Sequence, residues 1–391
     1  MASSVARLHS DRVRERRWTG KGVTLGEVLS HLAELHHDIS HTEAEDQGHP
    51  HPRNSVMNLV VCVGSQARAE ETQEVVERMA ASHPLRAVVI RRAGEKERPT
   101  LDAEIVTEAH QLVRGETIQR EQIYLSVSGA AADHLASFVE PLLVADVPTY
   151  LWWAGTPPLG ERGLRDALAI CDVLIVDSAG FEKPVTAFLE FAGLADRLGG
   201  RIGFADLHWS RQRPWRESLS QFFSPSERRG LLRGIERFDI DCAGEGQAAW
   251  VGGSLLTGWI AGALGWRLLR AAAVTDEHAD AIYQAPGGAL IPVALRSSGR
   301  TTLPRGTATR LRLEAESGGL RCLDTIELHP ERDDHAHMTI ELAGQPAIRQ
   351  RLALPPQDES ELLVQALAVA RRDRVFMRSL SAAAELQDAL G

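Results

Sequence analysis

Hydrophobic and polar positions fall into two textures, one of buried strands alternating with amphipathic helices and a later one of half-buried strands. Residues 25–39 place Leu25, Val28, Leu29, Leu32 and Leu35 on one helical stripe. A polar stretch follows, HTEAEDQGHPHPRNS, with the composition of a linker. Residues 58–63 (NLVVCV) form a near-continuous apolar run ending at Gly64, as expected of a strand covered on both faces. Residues 65–82 then carry Val75, Val76 and Met79 at helical spacing and stop at His83-Pro84. Strands are predicted over 86–91, 101–106 and 122–127, a helix over 131–143, and a strand over 149–153. This order implies a layered α/β domain with a mixed sheet.

The strand at 149–153 lies inside PLLVADVPTYLWWAGTPP, residues 141–158. Pro148 biases Val147 away from helical backbone, so a helix should end there and a strand begin. Alternation sends Tyr150 and Trp152 to one face and Leu151 and Trp153 to the other. Both faces carry large apolar groups, which suits a central strand. A tryptophan pair at a strand end also offers a docking spot for a partner.

Beyond the prolines, strands are predicted at 173–176 and 201–204, helices at 185–198 and 207–223, and a strand at 237–241. Residues 248–266 (AAWVGGSLLTGWIAGALGW) contain no charge and include Gly258 and Gly262 four apart. The length would cross a bilayer, and that glycine spacing permits close helix contact there. Its five glycines, Ser254 and Thr257 make it only weakly apolar, so a buried helix of a soluble domain is expected. From about residue 277, segments 289–295, 309–314, 321–328, 337–342 and 347–352 alternate apolar with polar, implying an antiparallel meander. Helices at 359–371 and 374–390 close the chain.

The expected organisation is therefore α/β throughout. Residues 1–55 form a helical arm and linker, and 56–158 a layered mixed-sheet domain. Residues 159–391 form a second α/β domain, its meander over about 289–353 and its terminal helices over 359–390. The 43 basic and 53 acidic residues leave a net charge of −10, which disfavours nucleic-acid and anionic-membrane partners. The first residues lack the apolar core of a secretory signal. The four cysteines, Cys62, Cys171, Cys242 and Cys322, lie far apart, so a reducing, cytoplasmic setting is expected.

Motifs for chemistry are scarce. Gly64 ends a strand before a helix, but Ser65, Gln66, Ala67 and Arg68 follow where a dinucleotide fingerprint needs glycines. No phosphate loop is present, and Asp177-Ser178-Ala179-Gly180 lacks the first glycine of a nucleophile elbow. His31, His36, His37 and His41, with His49 and His51 beyond, lack both zincin spacings and read as a solvated helix end and loop. His329, His335 and His337 form a looser set, read as turn and strand residues. No catalytic residue, cofactor or metal site is assigned. The densest polar–aromatic cluster is DLHWSRQRPWR at 206–216, where Trp209, Arg211, Arg213, Trp215 and Arg216 combine indoles with guanidiniums. Such residues dominate protein interfaces, and the same set suits a sugar phosphate, with Arg on the phosphate and Trp on the ring.

Several of these segments together resemble the OpcA family, the glucose-6-phosphate dehydrogenase assembly proteins. The carriers are HPLRAVVI at 83–90, LDAEI at 101–105, FVEPLLVADVPTYLWWAGTPP at 138–158, DVLIVDS at 172–178, DLHWSRQRPWRESLSQFF at 206–223 and LLTGWIAGALGW at 255–266. The resemblance implies a non-catalytic helper that contacts glucose-6-phosphate dehydrogenase, promotes its active oligomer and raises its activity in the oxidative pentose phosphate pathway. Trp152, Trp153, Trp209, Arg211, Arg213, Trp215 and Arg216 are then the candidate partner-contact residues. The alternative is a sugar-phosphate or nucleotide-binding enzyme using residues 209–216. A thiol redox switch, attached to this role in cyanobacterial relatives, is not expected here, because no two cysteines lie close in sequence and none is near the C-terminus.

Overall fold

The apolar runs read from the sequence pair with one another. In the computed structural model, β2 (Asn58–Val63) lies between β3 (Arg86–Arg92) and β6 (Thr149–Ala154), parallel to both. All six residues of β2 are buried, the condition that a run without polar alternation predicts. The structure describes all residues except 1–12, 48–54, 65, 81–82, 93–99, 112–116, 130–133, 330–331, 333 and 369–372, and at a few element ends the backbone alone. The chain divides into two compact units, Met1–Ile175 and Val176–Gly391.

In the first unit, β5 (Thr117–Val127) runs parallel to β3, and β4 (Leu101–Gln111) antiparallel to β5. The strand β1 (Val13–Gly20) pairs antiparallel with β4, and β7 (Val173–Val176) parallel with β6. The order is β1-β4-β5-β3-β2-β6-β7. The helices are α1 (Leu25–Gln47), α2 (Gln66–Ala80), α3 (Leu135–Val139) and α4 (Arg162–Ala169). β1 belongs to the stretch expected as a helical arm. Its sequence VRERRWTG is dominated by charge, and among its described side chains Glu15, Arg16 and Arg17 are exposed, Arg17 pairs with Glu104 and half-buried Trp18 stacks on His31. Periodicity therefore carries no trace of it. Trp152 and Trp153 are 0% and 3% exposed, so β6 is the central strand that its two apolar faces imply.

The second unit holds α5 (Pro184–Leu198), β8 (Gly203–Asp206), α6 (Leu207–Arg211) and α7 (Arg213–Phe222) before β9 (Ile235–Cys242) and α8 (Gly246–Leu264). The hairpin β10 (Arg267–Thr275) and β11 (His278–Gln284) follows, then β12 (Leu290–Ser297), β13 (Ala308–Ser317), β14 (Leu320–Leu328), β15 (His335–Leu342) and β16 (Ile348–Ala353). Helices α9 (Glu359–Ala368) and α10 (Arg374–Leu390) end the chain. The late antiparallel strands are present, but β9 inserts between β12 and β13, giving the order β10-β11-β12-β9-β13-β14-β15-β16. β9 is parallel to β12 and antiparallel to β13. β10 escapes a pattern search because it is a largely exposed edge of arginine and alanine. One sheet face is salt-bridged: Arg296 and Arg310 reach Asp241, and Arg237 reaches Asp239.

The uncharged α8 is the core of this unit. No helix among the described residues is long and apolar enough to cross a membrane. The Gly258 and Gly262 spacing serves instead to let α10 approach. A Cβ at Gly258 would stand 2.4 Å from the Ser379 carbonyl oxygen and 2.8 Å from the Ala383 nitrogen, inside backbone that cannot yield. A Cβ at Gly262 would rest 3.6 Å from Arg378 Cβ, an ordinary contact. Gly258→Val should therefore cost roughly 3 kcal/mol in urea unfolding. Gly262→Ala should be neutral or stabilise by up to about 1 kcal/mol, from the helix preference of alanine. Equal losses at both positions would contradict this packing.

Candidate functional site

Asp206 ends β8 and caps α6, its carboxylate accepting from the backbone N–H of His208 at 2.9 Å. Gln212 is the single joint between α6 and α7, and Pro214 starts α7 where its missing N–H costs nothing. The joint is pinned by the Gln212 side chain, which donates to the carbonyls of Gly252 at 3.0 Å and Gly306 at 3.3 Å. Two short helices thereby present the cluster that the sequence singled out.

Its members separate. Trp209 and Arg216 come together: the guanidinium carbon lies 3.4 Å from the ring centroid, and Arg216 Nη1 donates to the Trp209 carbonyl at 2.6 Å. Trp209 also meets Phe376 at 5.7 Å between ring centroids. Trp215 is buried with Leu219 and Phe222 in the hydrophobic core. Arg211 is clamped on Asp177 by two bonds of 3.2 and 2.8 Å. Burial alone would raise the Asp177 carboxyl, but the Arg211 guanidinium outweighs it and holds the group below its ordinary range. Arg213 is exposed and pairs with Glu217 at 2.7 Å. Trp152 and Trp153 belong to the first unit and are sealed in its sheet, where the Trp152 indole N–H has no partner among the described residues. Burial in the isolated chain withdraws Trp152, Trp153 and Trp215 from any accessible contact surface, and leaves Trp209, 7% exposed, only an edge on a solvent-facing cleft.

What reaches solvent is a cleft of about 550 Å³ lined by Trp209, Arg213, Arg216, Glu217, Trp259 and Asp373. Burial pulls the Arg216 guanidinium down to about 9, still charged near neutrality, and among the described residues no carboxylate lies within salt-bridge distance of it. Trp259, Ser220 and Ser224 also line an adjoining apolar groove of about 360 Å³, with Leu219, Phe223 and Leu264. Sequence reasoning missed Trp259, and nothing in the pattern separates it from Trp250 of the same helix, which is fully buried.

The second surprise is buried. Ser178 Oγ donates to Asp206 Oδ2 at 2.7 Å and lies 3.1 Å from His208 Nδ1, a serine, histidine and aspartate that the motif search did not unite. The geometry is not that of a nucleophile: the aspartate holds the serine rather than the histidine, and all three are at most 1% exposed. The His208 ring packs against Gly252 and Gly306, where a Cβ at either glycine would stand 2.6 Å from it. Burial and neighbouring Asp177 push the Asp206 carboxyl up to about 7, against three donors that favour its charged form. Burial and Arg211 pull the His208 imidazole down to about 4, so it is neutral near pH 7.

The histidines of α1 whose side chains are described, His31, His36 and His37, do not converge. His31 stacks on Trp18 at 4.4 Å and pairs with Glu34, whereas buried His36 meets Arg86 at 3.2 Å and Glu121 at 3.0 Å. His37 is exposed. The side chain of His41, and all of His49 and His51, lie outside the described residues. The four cysteines are free and buried, and burial pushes the Cys62 and Cys171 thiols up to about 12, which makes them poor nucleophiles.

Comparison with known proteins gives this architecture its class. A family model described as the glucose-6-phosphate dehydrogenase subunit N-terminal domain matches residues 76–193, and its C-terminal-domain counterpart matches residues 202–380. The chain belongs to the OpcA family of glucose-6-phosphate dehydrogenase subunits. It is 32% identical over 147 residues to a protein of Nostoc punctiforme named "Putative OxPP cycle protein OpcA", covering 38% of this chain and 30% of that one. A Synechococcus elongatus protein of the same name is 31% identical over 194 residues, covering 48% of this chain and 41% of that one. The matches thus span less than half the length of these relatives. Among solved structures, a 3-ketoreductase from Actinomadura kijaniata aligns with a TM-score of 0.48 and 13% identity over 86% of this chain and 97% of that one. UDP-N-acetylglucosamine 3-dehydrogenase GnnA from Acidithiobacillus ferrooxidans aligns with a TM-score of 0.46 and 13% identity, over 86% and 98% of the two chains. Likeness at that level carries no functional argument.

The buried Asp206 makes a prediction. A carboxyl raised in the folded state stabilises fully below its unfolded value near 3.8, and that contribution is lost as pH rises through about 7. The stability of Asp206→Asn relative to the parent should therefore improve steadily from pH 4 to pH 7 in denaturant titrations. A constant difference across that window would show that Asp206 stays ionised throughout.

Proposed function

We propose that the chain is a non-catalytic accessory subunit of glucose-6-phosphate dehydrogenase, which binds the enzyme and favours its active assembly in the oxidative pentose phosphate pathway. The observation that carries this reading is the match of residues 76–193 and 202–380 to models of glucose-6-phosphate dehydrogenase subunit domains. The relatives' names, which refer to the OxPP cycle, point the same way. The reading places the chain with its enzyme in the cytoplasm, with neither nucleic acid nor membrane as a partner.

An activator must bind the active state of its partner more tightly than the inactive one. In this reading the contact is the face on which the charged cleft, its two arginines set against Glu217 and Asp373, adjoins the apolar groove, with Arg213, Arg216 and Trp259 as anchors. An aromatic side chain and arginines around an apolar depression have the make-up of an interface hot spot. Arg211, Trp209 and Trp215 support that face from beneath. The test is activation of the cognate dehydrogenase by increasing amounts of the purified chain. The double variant Arg213→Glu, Trp259→Ala should keep its fold by circular dichroism and need at least about tenfold more protein for half-maximal activation. Full potency in that variant would move the contact elsewhere, and no activation by the parent chain would defeat the role.

One observation favours a second reading, a sugar-phosphate or nucleotide binder. Arg216 is a largely desolvated cation without a paired carboxylate, held against an indole in an open cleft. Calorimetry on the isolated chain with glucose 6-phosphate and with NADP separates the two. The subunit reading expects no saturable heat below millimolar ligand; micromolar binding abolished by Arg216→Leu would support the second.

A further inference from the structure

The hairpin of β14 and β15 brings together three histidines that no part of the proposed function uses. Leu328 pairs with Ala336 and Glu327 with His337, and the ladder continues as the His329 N–H donates to the His335 carbonyl at 3.1 Å. His329 therefore sits across from His335, and His337 lies two residues further along the same strand. A period of two puts all three side chains on one sheet face. The ring centroids are 4.9 Å apart for His329 and His335, and 5.7 Å for each of the other two pairs. One ring nitrogen from each residue lies within 4.8 Å of the other two.

Imidazole binds zinc at about 2.0–2.1 Å, so tetrahedral ligand nitrogens stand about 3.3–3.4 Å apart. Modest rotation of the rings closes the remaining gap. The surroundings favour this. Asp334 Oδ1 lies 2.7 Å from His335 Nδ1, and a carboxylate holding the proton there leaves Nε2 bare as a ligand. Arg332 grips the same carboxylate with bonds of 3.1 and 2.8 Å, and Arg300 fixes the His329 carbonyl at 2.9 Å. Burial is graded from His335, buried, through His329, half-buried, to His337, exposed, so the trio has a floor and an open side for entry and a water ligand. Arg351, across the ladder from His337 and 3.4 Å from His335 Nδ1, brings an opposing charge, but it is exposed and has room to swing into solvent.

We propose that His329, His335 and His337 form a binding site for a divalent transition-metal ion of the zinc class, with Asp334 orienting His335 from the second layer. Three neutral imidazoles suit zinc, cobalt, nickel or copper, and not magnesium or calcium, which take oxygen ligands. The ion would tie the start of β15 to the end of β14 and keep one coordination position open.

The test uses the untagged full chain, stripped with chelator and titrated with zinc by calorimetry and with cobalt(II) by visible absorption. One zinc per chain and the d–d bands of a tetrahedral cobalt site are expected. His337→Ala, at an exposed position, should keep the metal-free melting temperature and weaken zinc binding at least about tenfold. Asp334→Asn should weaken it about 10–100-fold. His31→Ala, which removes a histidine elsewhere, should bind like the parent. Failure of the parent to retain zinc after dialysis would overturn the site, as would unchanged affinity in both His337→Ala and His329→Ala.

Discussion

The second unit depends on how closely other backbone can approach the helix α8. At Gly258 the backbone of α10 comes so near that no side chain would fit, and at Gly252 the Gly306 carbonyl and the His208 ring do the same. At Gly253 the sheet residues Leu295 and Cys242 close in from another side. A helix approached from several directions must be small on several faces, and one buried there must also be uncharged. Both properties of residues 248–266 follow from that single constraint. Its larger residues fill what space remains: Trp250 and Leu256 are sealed in the core, while Trp259 reaches the surface.

The candidate contact face is a consequence. Gln212 fastens the α6–α7 joint to the Gly252 carbonyl, and α7 in turn carries Arg213 and Arg216 beside Trp259. Beneath it, the buried Asp177–Arg211 pair and the Ser178, Asp206 and His208 network contribute a satisfied polar floor. Breaking one partner of such a pair leaves a buried charge and costs about 3–5 kcal/mol. These residues resemble catalytic machinery only in their types. Enclosed by Gly252, Gly306 and Gln212, they have no room for a substrate, and their place is to hold two short helices at a fixed angle.

Much of the fold was legible because burial leaves period and composition behind. β2, β3, β6 and β7 read directly as apolar runs, and the half-buried strands β13, β14 and β15 read as alternation. β1 and β10 did not, because an exposed edge strand has no buried face to impose a pattern. The position of β9 between β12 and β13 was also invisible, since register between distant strands is set by tertiary packing. For the site, the segment 206–216 was visible as a cluster, but the sequence does not say which member faces out. Burial assigned Trp209 and Trp215 inward and Arg213 outward. Trp259 and Ser178 lie too far apart in sequence from their partners for spacing to reveal them, whereas His329, His335 and His337 were visible as a set, and only the β14–β15 pairing shows that they share one face.

The central claim is a physical association with glucose-6-phosphate dehydrogenase, and its most direct test is the mass of the mixture. Size-exclusion chromatography with light scattering, on the two purified proteins at micromolar concentration, should show one co-eluting complex. That complex should be heavier than either protein alone and hold the dehydrogenase activity at a raised specific value. Two independent peaks with unchanged dehydrogenase activity would contradict it.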